Sequence, residues 1–212
     1  MYKSIHMANQ GNMKMAMVAP QIAIVSPLFC VSYPVELNVV RKMVTLRDSN
    51  FAVVDVNGNV IFKLKGKYLS LHDRRVLLDA TGLPILSLRQ KMFSLHSRWE
   101  VFRGDSSDSR NLIFSARKSS LIQFRTELNV FLAKNKSEHL YDFKVIGSWL
   151  EKSCVIFSGD STIIGQMHRK HTVESVALGK DTFSVTVNPG IDYAFVVALV
   201  AILNEIHESG HD

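Results

Sequence analysis

The chain has 212 residues, 47% hydrophobic and 21% charged, a balance that fits a folded domain and excludes disorder over most of its length. Its 25 basic and 19 acidic residues leave a formal net charge of +6, a modest basic bias without a long cationic run, so composition alone selects neither nucleic acid nor membrane as a partner. Two distant cysteines, Cys30 and Cys154, lack CxxC spacing, which excludes a cysteine zinc set and fits reduced thiols in the cytosol or nucleus.

The first nineteen residues hold five of the eight methionines, set among Asn, Gln and Gly. They have neither the apolar core of a signal peptide nor the Arg-rich pattern of a transit peptide, and Tyr2 stands where myristoylation needs Gly, so residues 1–19 read as a tail. A single domain is expected over 20–208. Ile22 to Val25 and Leu28 to Val31 read as short extended pieces broken by Pro27, and Val35 to Thr45 as a strand.

Next comes a hairpin signal: Phe51 to Asp55 and Val60 to Lys65 flank Asn57-Gly58, a dipeptide suited to the positive φ angles of a tight turn. Val76 to Asp79 and Pro84 to Arg89 repeat the arrangement around Ala80-Thr81-Gly82. The period is 24 residues. Asp55-x-x-Gly58 recurs as Asp79-x-x-Gly82, and Ser70-Leu71-His72-Asp73-Arg74 recurs as Ser94-Leu95-His96-Ser97-Arg98. Two strands and two turns per period describe an antiparallel meander rather than a solenoid, since the repeat fades after two copies. Further hairpins pair Trp99 to Arg103 with Asn111 to Lys118, Leu121 to Phe131 with Tyr141 to Gly147, Ser153 to Ser158 with Ile163 to Arg169, and Val173 to Leu178 with Phe183 to Val187. Six hairpins from Phe51 onward imply about twelve strands.

After Pro189-Gly190, Asp192 is placed to cap a helix over 192–208 that opens with eleven apolar residues, Tyr193 to Leu203. A helix apolar on every side must be wrapped by protein or lie in lipid. Eleven residues span about 16 Å against a hydrocarbon core of about 30 Å, and Asn204, Glu205, His207 and Glu208 follow at once, so no transmembrane segment is expected. Twelve strands close into a barrel of roughly 24 Å diameter, which accommodates one helix about 10 to 12 Å across plus inward side chains. The fold expected is mainly β: a closed antiparallel barrel of about twelve strands around a buried C-terminal helix. Ala194, Ala198 and Ala201 supply a small-residue stripe along that helix.

Five stretches, VRKMVTLRDSNFAVVDVNGNVIFKLKG (Val40 to Gly66), LHDRRVLLDATGLPIL (Leu71 to Leu86), GSWLEKSCVIF (Gly147 to Phe157), MHRKH (Met167 to His171) and NPGIDYAF (Asn188 to Phe195), resemble the plant LURP-one-related family. The similarity runs from about Tyr33 to Ile206. It implies the barrel of Tubby C-terminal and scramblase-like proteins, a cytoplasmic protein peripheral to the plasma membrane or nuclear, and a role in signalling or defence. Phosphoinositide binding by a basic barrel face is implied at the level of the superfamily, with no residue carried over. Asp105-Ser106-Ser107-Asp108-Ser109 superficially resembles a calcium segment but lacks the Gly and Glu of an EF-hand loop, so it reads as a polar turn and no metal is expected.

The cationic candidates for a phosphate or headgroup are His168, Arg169 and Lys170, followed by His171; Arg117 and Lys118; and Lys63 and Lys65, followed by Lys67. Each group competes with the plainer reading of a solvated surface. Cys154 near His168 offers a nucleophile and base only if the two meet; a cysteine in a VIF-type strand is ordinarily a small buried hydrophobe. His72 and His96 read as turn caps and Trp99 and Trp149 as core or barrel-rim residues. The resulting expectation is a non-enzymatic module without cofactors that binds anionic, phosphoinositide-containing membranes. Protein partners, a transcription-linked role with contact to nucleic acid, and scramblase-like lipid translocation are alternatives.

Overall fold

The structure is a computed structural model that describes residues 21–41, 51–66, 74–91, 98–119, 126–169 and 182–208. The expected tail, the MHRKH residues Lys170 and His171, and Lys67, His72 and His96 lie outside the described residues. Period-two alternation builds twelve strands: β1 (Val35–Arg41), β2 (Phe51–Val54), β3 (Val60–Gly66), β4 (Arg74–Asp79), β5 (Pro84–Lys91), β6 (Arg98–Arg103), β7 (Leu112–Lys118), β8 (Thr126–Leu132), β9 (Phe143–Ser148), β10 (Ser153–Ser158), β11 (Ile163–Arg169) and β12 (Thr182–Val187). Each pairs antiparallel with its sequence neighbours, and β12 returns to β1 to close the barrel. The count of twelve is reached by a different set from the one the hairpins suggested. β1 is a full member between β2 and β12, while the expected strand from Val173 to Leu178 lies outside the described residues.

The barrel is filled by α1 (Tyr193–Glu208), whose residues from Ala194 to Leu203 are at most 2% exposed. One residue in two of each strand points at it, including Leu37, Phe62, Leu77, Leu88, Val101, Phe114, Val130 and Val185. Phe195 packs edge-on against Phe114 at 5.1 Å and tilted against Phe143 at 4.8 Å. No helix among the described residues is long and apolar enough to cross a membrane.

The turn at Asn57-Gly58 differs from the one its dipeptide predicted. Only Gly58 has positive φ, +85°. The turn runs from Asp55 to Gly58, whose N–H donates to the Asp55 carbonyl at 3.1 Å, and the Asp55 carboxylate accepts the Asn57 and Asn59 amides at 2.8 Å each. A register shift in the β2–β3 pairing absorbs the extra residue as a bulge. Asp79 repeats this with Thr81 and Leu83, so the Asp, more than the Asn-Gly pair, fixes the turn.

α1 enters at one end of the barrel, the entry end, which also carries the turns after β2, β4, β6, β8 and β10. Residues 21–34 cross this end through bridges Ile22 to Ile191 and Cys30 to Asp192. Phe29 meets Phe62 and Tyr193 edge-on at 5.7 and 5.3 Å. Asp192 joins the segment to the helix: one carboxylate oxygen accepts the amides of Ile24, Val25 and Ser26 at 3.1, 2.6 and 3.0 Å, and the other accepts Phe195 N–H at 3.1 Å. Burial pushes this carboxyl above its ordinary range, against the four amides that pull it down. At the opposite, far end, Gly147 faces β10 so closely that a Cβ would overlap the Ser153 carbonyl oxygen and stand 2.5 Å from Cys154 Cα.

Candidate functional site

The cationic candidates of β3, β7 and β11 sit near the far end of the barrel, because each of these strands runs toward it and ends there. In strand order the three are four steps apart around a twelve-strand ring, that is, about a third of the circumference. They form a spaced crown rather than one pocket. Lys65 is exposed and points outward, opposite to the inward Leu64. Lys63, two residues back, leans to the entry end, where its Nζ donates to the Ala80 carbonyl at 3.4 Å. Arg117 points outward and Lys118 lies on the inward side of the strand end, since Ala116 beside them faces the core. His168 and Arg169 are both exposed, and Arg169 donates to the Leu150 carbonyl at 3.4 Å.

Between β3 and β7 the register adds cations that sequence reasoning missed. Arg74 stands directly opposite Arg89, and Lys91 opposite Arg98, which in turn stands opposite Arg117. Like charges in directly opposed positions repel, so a structure that keeps them must hold them by other contacts. Arg74 bonds Asp105 at 2.6 Å and the Ser106 carbonyl at 2.9 Å. Arg89 bonds Glu100 at 2.7 Å and lies over the Phe102 ring at 4.9 Å, while Arg117 lies over Phe131 at 5.2 Å. Arg98 makes a forked contact to Glu138 and a bond to the Ser115 hydroxyl at 2.9 Å. Arg74 and Arg98 are the closing residues of the 24-residue repeat, a signal that could have found them.

The turns at the entry end carry carboxylates. Asp55, Asp79 and Asp160 occupy its turns, each held below the usual carboxylate range first by a side-chain hydrogen bond, from Asn59, Thr81 and Ser158 respectively. Asp105 and Asp108 belong to the β6–β7 connection. Asp105 pairs with Arg74, and Asp108 accepts the Arg110 amide and guanidinium, so both carboxylates of the calcium-like segment are engaged by arginines. Among the described residues no three His, Cys, Asp or Glu side chains group to hold a metal.

Cys154 and His168 do not meet as nucleophile and base. Cys154 is opposite Met167 and turned into the core, 1% exposed, whereas His168 is on the outward side. Burial pushes the Cys154 thiol up to about 12. Native protein treated with iodoacetamide near pH 8 is therefore expected to keep Cys154 unmodified, and denaturant to expose it; peptide mass mapping reads this directly. Trp99 and Trp149 are both buried in the barrel, Trp149 edge-on to Phe183 at 5.5 Å with the Lys152 ammonium 4.0 Å from its ring centre.

The family model for LURP-one-related proteins matches residues 35–204, the span from β1 to the polar end of α1. The chain is 52% identical to Arabidopsis thaliana LURP-one-related 15 over 87% of its own length and 85% of that protein's, and 52% identical to LURP-one-related 10 over 88% and 97%. Protein LURP1 of the same plant is 46% identical over 88% and 91%. A crystal structure of an Arabidopsis thaliana protein superposes with a TM-score of 0.71 at 44% identity, covering 87% of this chain and 98% of that one. With the barrel, its buried helix and these matches in hand, the chain belongs to the LURP-one-related family.

Proposed function

We propose that the chain is a non-enzymatic binding module that docks reversibly, far end first, on anionic membrane surfaces, phosphoinositide-containing ones included. The observation that carries this reading is the separation of charge along the barrel axis. Lys65, Lys91, Arg117, Lys118 and Arg169 mark strand ends at the far end, beside Arg74 and Arg98, which Asp105 and Glu138 engage, while Asp55, Asp79 and Asp160 mark turns at the entry end, with Arg110 among them. A crown of cations a third of a turn apart suits a flat charged plane better than a single small ligand. Each Lys or Arg brought to an anionic surface contributes about 1 kcal/mol, and the attraction is screened by salt.

Sedimentation with phosphatidylserine vesicles, with and without phosphatidylinositol bisphosphate, tests the reading. Binding should rise with anionic lipid and fall with salt, and the triple change Lys65→Gln, Lys118→Gln, Arg169→Gln should weaken it roughly hundredfold, from about 1 kcal/mol per cation. Binding indifferent to salt and to lipid charge, or none at all, would overturn it.

A further inference from the structure

The outer wall beside the crown holds a more specific arrangement. Lys91, Arg98 and Arg117 point outward from β5, β6 and β7 at directly opposed positions, so their Cβ atoms follow one another at about 5 Å. The connection from β8 to β9, residues 133–142, reaches across this wall and delivers one carboxylate, that of Glu138. Arg98 takes it in a fork, with Nη1 on one oxygen at 2.9 Å and Nη2 on the other. Arg98 Nε is buried with no acceptor among the described residues, and Arg117 has the Phe131 face but no carboxylate among them. Glu138 reaches its position in a left-handed conformation, φ +49°, which side chains with a Cβ adopt at a cost. The neighbouring Asn135 holds the connection in that shape: its side-chain Oδ1 accepts the Glu138 amide at 3.1 Å and its side-chain Nδ2 donates to Leu140 O at 2.8 Å and Asp142 at 2.9 Å.

We propose that Arg98, flanked by Arg117 and Lys91, is a phosphate-binding site on the outer wall that Glu138 occupies in the closed form. A phosphate monoester offers the fork the same pair of oxygens as a carboxylate, plus a third oxygen and further charge for the flanking cations. Phosphate engagement and release of the 133–142 strap are then one equilibrium, and the ligand competes with a resident anion. This deepens the membrane reading by naming a headgroup site and its regulation, but the site can act without a bilayer. The shared chemistry is an inositol phosphate, either free or as a lipid headgroup.

The test is titration calorimetry of the full chain with soluble inositol trisphosphate. Glu138→Gln keeps the shape and removes the charge, and it should bind about three- to tenfold tighter than wild type. Arg117→Gln, which leaves the strap contact in place, should bind at least about tenfold more weakly. Saturating ligand should also speed amide exchange across residues 134–140 in the wild type. Unchanged or weaker binding by Glu138→Gln, or strap exchange unaltered by ligand, would overturn the site. Vesicles separate the two sources: phosphatidylserine alone should bind wild type and Glu138→Gln alike, and added phosphatidylinositol bisphosphate should favour the variant. A wild type that ignores phosphatidylserine vesicles defeats the membrane reading, while a tighter Glu138→Gln titration with the free headgroup still sustains the site.

Discussion

Ala198→Glu should abolish folding of the barrel. Ala198 is fully buried in α1, with Val197 and Leu199 equally enclosed. The new carboxyl would enter a core with no partner for it, and an unpaired buried ionisable group costs several kcal/mol even after it takes up a proton. Four more heavy atoms than a methyl must also fit in a closed core, which adds about 1 to 3 kcal/mol of overpacking. Together these reach the whole stability of an ordinary domain, about 5 to 15 kcal/mol. Ala198→Cys, close in volume and apolar, should melt cooperatively near the wild-type midpoint. Circular dichroism melts of both variants decide the matter: a soluble Ala198→Glu protein that unfolds cooperatively would show that the helix is not the core.

Asp192→Ala comes next in size. The substitution removes four hydrogen bonds at once and strands the amides of Val25 and Phe195 in the interior. Bonds to a charged acceptor contribute about 1.5 to 3 kcal/mol each, with losses at one shared acceptor far from additive, so a cost of about 3 to 5 kcal/mol is expected. In a chain of this length that corresponds to a fall of roughly 10 °C in melting midpoint. Residues 22–30 should lose amide protection first, because the side chain ties them to the helix. Asp192→Asn keeps one acceptor but turns a donor toward another donor, and should fall between the two. Urea denaturation gives the numbers, and a midpoint equal to wild type would mean that the segment is held by its bridges and Phe29 alone.

Much of this fold could be read from local chemistry. An apolar run of eleven residues too short for a bilayer, with strands enough to enclose it, identified the filled barrel before any pairing was known. Asp192 was legible as a helix cap, because that role needs only its neighbours in sequence. Its three further bonds were not, since Ile24, Val25 and Ser26 are more than 160 positions away. Turn chemistry misled at Asn57-Gly58, where the dipeptide suggested a two-residue turn and Asp55 imposed a longer one with a bulge. The cationic site was legible only as a list. Register decides which charges share a row, so Arg98 between Lys91 and Arg117 emerges only once β5, β6 and β7 are aligned. Lys63 and Lys65 looked equivalent in sequence, and one leans toward each end of the barrel.

The order of elements along the chain sets how this molecule must be made. Most of the wall precedes the helix that fills it, so the earlier strands leave the ribosome before α1 has been made. The strands' inward faces then have nothing to bury against, and β1 waits for β12 across about 150 residues before the ring can close. Long-range pairing of this kind is slow, and transiently exposed apolar strands are prone to associate. Chaperone dependence during synthesis, and refolding that is slow and sensitive to protein concentration, follow from the placement of a single helix after the strands it supports.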